Sequence, residues 1–562
     1  MHTKTKVEIK SLYRNCYLPV ACCIRICLLL IVYCLFALNS TAQRDTTKRQ
    51  TIDITSSYKP VLRNAAKINL SASPLIVDTS RQRLAYDIPA QNLFFSYQPI
   101  TLKPLALMQD TGLQLGVRNY VKAGFGNFTT PYLAAALSFG DGKTSLVNLY
   151  GNYISSKGKI TYQDFSELKL KGTGSFFTPK NEVYGNAGIK ASQYYQYGYD
   201  HALHTFPKDS VSRRYQDFSV GIGFKNTATN DFNVNYDPNV EAHVFSRENK
   251  VNESSLIVDA PVEKKFGESV SLKVAARAYI TNLTNKTTAI NTSITNNLFQ
   301  VAPELVYYSD KFTFHGGVTP SWDNNALSVL PNIYGEAQLQ HNILIVQAGW
   351  VGRFINNSFR SLSTTNPYMA DPSFLNNTKE VQFYGGLKAS LGKHFSFNAK
   401  AAFITYNNMP LFVNDLYDGR SFIIRNESKM NNVQLHGDMS VVSQDKFTLT
   451  AALDLNTYTG LKDNLNAWGL IPVQLTGSFR WNAFKEVLLK ADVFAFSGVP
   501  ALFKNKETKT NGTDLSAGAE FKITNKFSAW LDLNNILDNK YQRWNNYPVY
   551  SLNVIGGIIV HF

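Results

Sequence analysis

The chain has 562 residues and a formal net charge of +15, with 17% charged and 13% aromatic residues. A mean hydropathy of −0.18 argues against a bundle of membrane helices, and the charged fraction is below the roughly 25% of ordinary soluble proteins. The basic residues are scattered singly, without a run of five, which excludes a dedicated nucleic-acid face.

The front of the chain stands apart. Lys4, Lys6, Lys10, Arg14 and Arg25 lead into the apolar run CLLLIVYCLFAL (27–38), followed by the small residues Ser40 and Ala42. That run of about 11 to 15 residues is shorter than the roughly 20 a membrane span needs. Residues 1–42 therefore read as a signal peptide cleaved after Ala42. Tyr33 directly before Cys34 speaks against lipoprotein processing. All five cysteines (Cys16, Cys22, Cys23, Cys27, Cys34) lie in this leader. A mature chain without them has no disulfide, thiolate metal site or cysteine nucleophile. Removing the leader takes away five basic residues and one acidic one and leaves a net charge of about +11.

Residues 43–116 carry Pro and Asn punctuation and read as an extended N-terminal segment, in the periplasm or filling a lumen. From 117 to 562 the sequence alternates with a period of two. In VSLKVAARAYI, Val270, Leu272, Val274, Ala276, Ala278 and Ile280 form one phase, opposed by Ser271, Lys273, Ala275, Arg277 and Tyr279. Other windows place Lys388, Asp454, Lys490, Asp492, Glu520 and Lys522 singly on the polar phase. Each window holds about nine to eleven residues, the length of a tilted membrane strand. Charges on one face and apolar residues on the other fit strands lying between lipid and a wet lumen, with those eight residues facing the lumen.

Two kinds of connection take turns along this stretch. Ten are tight, from GDGK (140–143) to TNKF (524–527); the others are mostly longer and richer in Asn, Ser, Thr and Pro. Outer-membrane barrels alternate short periplasmic turns with long external loops. With both ends in the periplasm, ten tight turns give about 22 strands, or about 20 residues for each strand and its connection. The expected fold is all-β, a transmembrane antiparallel β-barrel of about 22 strands with a short N-terminal extension. In lipid such a sheet must close, so VIGGIIVHF (554–562) is expected to pair with the first strand near NYVKAGFGNF (119–128).

The segment LDLNNILDNKYQRWNNYPVYSLNVIGGIIVHF (531–562) resembles the C-terminal signature of TonB-dependent receptor barrels. The matching residues are Asn535, Asp538, Tyr541, Tyr547, Pro548 and the terminal Phe562. The resemblance implies a 22-stranded barrel, a terminal strand read by the barrel-assembly machinery, and uptake of a solute. Members of that family carry a folded plug much longer than residues 43–116, and those residues do not match it. The chain is thus expected to lack the usual plug. Thr51, Ile52, Asp53, Ile54 and Thr55 loosely resemble the short box that pairs with TonB.

The function expected is passage of an unnamed solute across the outer membrane of a Gram-negative envelope. The alternatives are a passive porin, or a structural barrel anchoring envelope partners through loops 354–378 and 407–430. The expected partners are outer-membrane lipids, the assembly machinery, and TonB or a surface lipoprotein. No cofactor and no catalysis are expected: Gly-x-Ser-x-Gly, a phosphate-binding glycine loop and His-Glu-x-x-His are all missing from the sequence. His201 and His204, in a long external loop, read as surface decoration, with a loop metal site as the lesser reading. Trp350, Trp481, Trp530 and Trp544 read as girdle residues at the lipid boundary, as does the YYQYGY cluster (194–199), whose other reading is a sugar-stacking loop.

Overall fold

The computed structural model describes residues 119–562, apart from Thr229, 288–290, 341–343, 392–393 and 444–445. The leader 1–42, the extension 43–116 and the TonB-box-like Thr51–Thr55 lie outside the described residues. Twenty-three hydrogen-bonded segments form one sheet. Two of them, Val234–Tyr236 and Asn239–Arg247, are halves of a single stave, since both pair with Val251–Phe266. The sheet is therefore a ring of 22 antiparallel strands, as the turn count implies.

Closure occurs where expected. The first strand, Tyr120–Gly126, pairs with the last, Asn553–His561, from Tyr120↔His561 to Gly126↔Ile555. The approach there is close: a Cβ on Gly557 would lie 1.9 Å from the Ala123 carbonyl oxygen, so only glycine fits. Trp530 Nε1 donates to that same carbonyl at 3.2 Å.

Side chains alternate across the wall as a period of two requires. Val220, Ile222, Leu327 and Val329 are among the outward residues and are exposed, as a lipid-facing belt must be. Ser271, Thr281, Gln300 and Ser321 point inward and are buried.

Many strands are longer than the nine to eleven residues their alternation suggests. Thr292–Tyr308, Val487–Phe503 and Lys506–Lys522 each have 17. The apolar–polar pattern marks only the part of a strand that crosses lipid. Beyond the belt both faces are wet, and the pattern fades in Ser293, Thr295 and Asn297 although the ladder continues.

Each of the ten tight turns joins consecutive strands at one rim. At the other rim, four connections are also short: 127–129, 248–250, 324–325 and 504–505. Asn324 and Asn325 both have positive φ (47° and 75°), as do Lys504 and Asn505 (47° and 62°). Positive φ at both central residues is the two-residue hairpin geometry that matches strand twist. The remaining connections at this rim include four long ones, 196–211, 356–377, 408–429 and 535–552.

Candidate functional site: a polar lumen under an aromatic cap

Those four loops fold together over the outer mouth. Tyr547 is fully buried, and its ring stacks on Tyr368 with centroids 3.7 Å apart. Tyr197 meets Tyr547 edge-on at 4.9 Å, and Trp544 meets Phe412 and Phe422 at 5.4 and 5.3 Å. With Phe359, Leu362, Met369 and Leu375 they make a continuous hydrophobic core. Burial pushes the Tyr368 and Tyr547 hydroxyls well above the usual tyrosine range.

Charged side chains tie this core to the wall. Arg247 grips Asp371 of loop 356–377 with two bonds of 2.8 and 2.7 Å. Buried Glu253 accepts the backbone N–H of Phe359 at 2.5 Å, where the helix Phe359–Thr365 begins. Buried Glu427 accepts the backbone N–H groups of Lys462, Asp463 and Asn464 at 2.6, 3.1 and 2.9 Å and so joins loop 460–472 to loop 408–429.

The C-terminal motif residues build the last loop. Asn535 and Asp538 sit at positive φ (50° and 51°), a conformation that Asn and Asp tolerate. Asn535 Nδ2 donates to the carbonyls of Asn539 and Tyr550, and Asp538 accepts the Leu552 N–H at 2.9 Å. The Tyr541 hydroxyl donates to Asp514 at 2.9 Å. The Pro548 carbonyl accepts from Gln163 and from the Tyr197 hydroxyl, both at 2.9 Å. Phe562 lies at the opposite rim, 66% exposed, its N–H donating to the Asn119 carbonyl.

Below the cap the wall is polar and many of its charges are paired. Lys388 pairs with Glu336 at 2.5 Å, Arg277 with Asp259 at 3.0 Å, and Arg480 with Asp492 at 3.0 Å. Lys490 meets Asp532 at 2.6 Å, with Lys122 at 3.8 Å from the other side. Asp454 bonds His436 at 2.7 Å. Lys273 and Arg277 line a cavity of about 850 Å³. Glu520 and Lys522 are half-buried on the strand face that also carries Asp514 and Ser516. These eight residues are thus distributed around the ring rather than gathered at one point.

The cap is the part that sequence reasoning missed. Tyr194 and Tyr197 of the YYQYGY cluster belong neither to a lipid girdle nor to an open sugar loop; they are packed into the cap. Trp544 is buried there too. Trp530 faces inward at 4% exposure beneath the Lys122 ammonium, 3.9 Å from its ring centre. Only Trp350 and Trp481 of the four girdle candidates are on the exposed outer face. Loops are irregular, so their inward residues have no period to reveal them. The available signal was the density of Tyr, Phe and Trp in segments otherwise rich in Asn and Ser. Loops 354–378 and 407–430, which the scaffold alternative uses to anchor partners, spend much of their apolar surface on one another and on Trp544 and Tyr547.

No family model and no curated protein matches the chain. Among solved structures it is similar to the FrpB iron transporter of Neisseria meningitidis (F5-1 variant, apoprotein form), with a TM-score of 0.61 and 11% identity over 80% of this chain and 82% of that one. The copper transporter OprC gives a TM-score of 0.59 and 11% identity over 79% and 82%. The siderophore receptor PirA of Pseudomonas aeruginosa gives 0.55 and 12% over 79% of each chain. At such identities the likeness shows the fold alone, that of the closed 22-strand barrel.

Proposed function

We propose that the protein is an outer-membrane barrel that admits a solute through its lumen in the manner of TonB-dependent receptors. The observation that carries this reading is a closed 22-strand ring with a lipid-facing belt, a polar lumen and an outer mouth covered by its own folded loops. A covered mouth favours gated uptake over a passive porin. Loops committed to the cap favour it over a scaffold that displays them to partners. The transporter and receptor names of the similar structures support the same class of activity and give no support to catalysis.

In this reading residues 43–116 close the lumen from the periplasmic side, and Thr51–Thr55 is the contact for TonB. Lys273, Arg277, Lys388, Asp454, Lys490, Asp492, Glu520 and Lys522 line the path. The test is conductance in a planar bilayer, comparing the mature chain with one lacking residues 43–116. The expected result is a closed full-length protein and a conducting truncation. Equal, large conductance of the two would sink gated uptake and leave a passive pore.

A further inference from the structure

Lumenal cations such as Lys388 and Arg480 each hold a carboxylate, but one patch of the wall departs from that pattern. The strand Phe165–Phe177 turns Lys169 and Lys171 inward, because Leu170 between them is exposed on the outer face. Its neighbour Asn181–Tyr195 turns Lys190 inward in the same way, with Ile189 outside. Lys169 stands directly across the ladder from Lys190, and Lys171 from Gly188, which has no side chain. Opposed residues are about 5 Å apart and diagonal ones about 7–8 Å, and like charges so placed repel. Arg360 of loop 356–377 reaches the same place from the cap. Its Nη1 is 4.0 Å from Asp217, which faces Lys190 across the next ladder.

The carboxylates here are too few. Glu167 is taken by Lys169 at 3.1 Å. Asp217 is shared between Arg360 and His243, whose Nδ1 is 3.2 Å from it. Lys190 lies within electrostatic reach of Glu167, Lys169, Asp217 and Arg360. Among the described residues, however, neither Lys171 nor Lys190 makes an ion pair or a hydrogen bond. The Arg360 Nε is buried without a partner among them. Four cations therefore face two carboxylates, an excess of two. Arg480 and Lys490 are also opposed across a ladder, yet each has its own carboxylate, Asp492 and Asp532. A cation drawn away from bulk water needs a counter-charge.

We infer that the patch of Lys169, Lys171, Lys190 and Arg360 binds the phosphoryl group of a phosphorylated solute. A phosphate ester carries about two negative charges near neutral pH and three strong acceptor oxygens. That matches an excess of two, and lysines that approach as point charges from different directions. A planar carboxylate is better met by the fork of a single arginine. The inference rests on the uptake reading, whose solute it names by class.

The experiment is calorimetric titration of the full chain in detergent with pyrophosphate, and separately with succinate. In about 50 mM salt, where screening is modest, pyrophosphate should bind saturably with a Kd of about 100 μM or tighter. Succinate should give no saturable binding. Lys190→Gln should weaken pyrophosphate at least tenfold while keeping the heat-modifiable gel mobility of a folded barrel. Should that variant not fold, Lys171→Gln, whose side chain is exposed to the lumen, should show the same loss. Lys509→Gln removes an equal charge from the exposed outer side of the wall and should leave the affinity within twofold. Absent pyrophosphate binding, equal succinate binding, unchanged affinity in the Lys190 and Lys171 variants, or an equal loss in Lys509→Gln overturns the inference. Binding that appears only once residues 43–116 are removed assigns these lysines to carboxylates of that segment and overturns it too. A barrel that conducts on truncation yet ignores pyrophosphate overturns this inference alone. Pyrophosphate binding to a chain whose conductance is insensitive to residues 43–116 overturns gated uptake alone.

Discussion

At the outer mouth, Tyr547, Tyr368 and Phe359 are buried as in the core of a soluble domain, whereas the wall beneath them presents Lys388, Arg277 and His436 to a wet lumen. The two regions solve different problems. The four long loops lie outside the ring's ladder, so much of their order comes from burying apolar rings against one another, helped by ties such as Arg247–Asp371. The wall gains its order from backbone ladders. Its inward side chains can stay polar, provided that their charges are paired. The difference predicts that the cap can fail without the wall, and that the wall's chemistry can be changed without disturbing the cap.

The sharpest way to break this separation is Tyr547→Ala. Truncating a fully buried aromatic costs about 3–5 kcal/mol, and here the loss falls on contacts with Tyr368, Tyr197 and Phe422. External protease on whole cells should then cut loops 356–377 and 408–429 at least tenfold faster, while the barrel keeps its heat-modifiable mobility. A variant that loses that mobility as well would show cap and wall to be one cooperative unit.

A smaller effect is expected in the wall. Lys490→Met removes the 2.6 Å partner of Asp532 and leaves Lys122 at 3.8 Å. Removing one partner of a buried ion pair costs about 3 kcal/mol, which a barrel of 22 strands tolerates. The loops should resist protease as before. In the truncation lacking 43–116, the reversal potential in a salt gradient should move toward cation selectivity, because the lumen has lost a positive charge. Unchanged selectivity would place Lys490 off the conducting path.

The wall was far more legible in the sequence than the cap, for a physical reason. Lipid on one side and water on the other impose a period of two on Val270–Ile280 and its counterparts, and tight turns must recur where hairpins reverse. Strand number and the pairing of Tyr120–Gly126 with Asn553–His561 followed from those two constraints. The stave break at Asp237–Pro238 was marked only by its proline. The partners of the charged residues were not legible at all, since Lys490 and Asp532 are 42 positions apart and meet only through the ring's register. Nor could a pattern announce that Tyr197 and Tyr547, 350 positions apart, share a core.

The mildest test uses pH to loosen one edge of the cap. The Leu552 N–H bonded to Asp538 holds that carboxyl below its usual range, and the bonds from Ser428 do the same for Asp463. Both groups have folded pKa values depressed below those of the unfolded chain. Their stabilisation is therefore fully present above the ordinary carboxylate pKa of about 3.9 and is lost as pH falls through the lower folded values. Acidification below about pH 4 should thus speed amide hydrogen exchange at Leu552 and Ser428, relative to a matched unfolded reference, before any strand amide responds. Asp538→Asn keeps a side-chain oxygen to accept the Leu552 N–H but cannot titrate, so exchange at Leu552 should lose this acid-dependent step while exchange at Ser428 keeps it. If strand amides loosen over the same pH interval, the cap is not the separable element that its aromatic core implies.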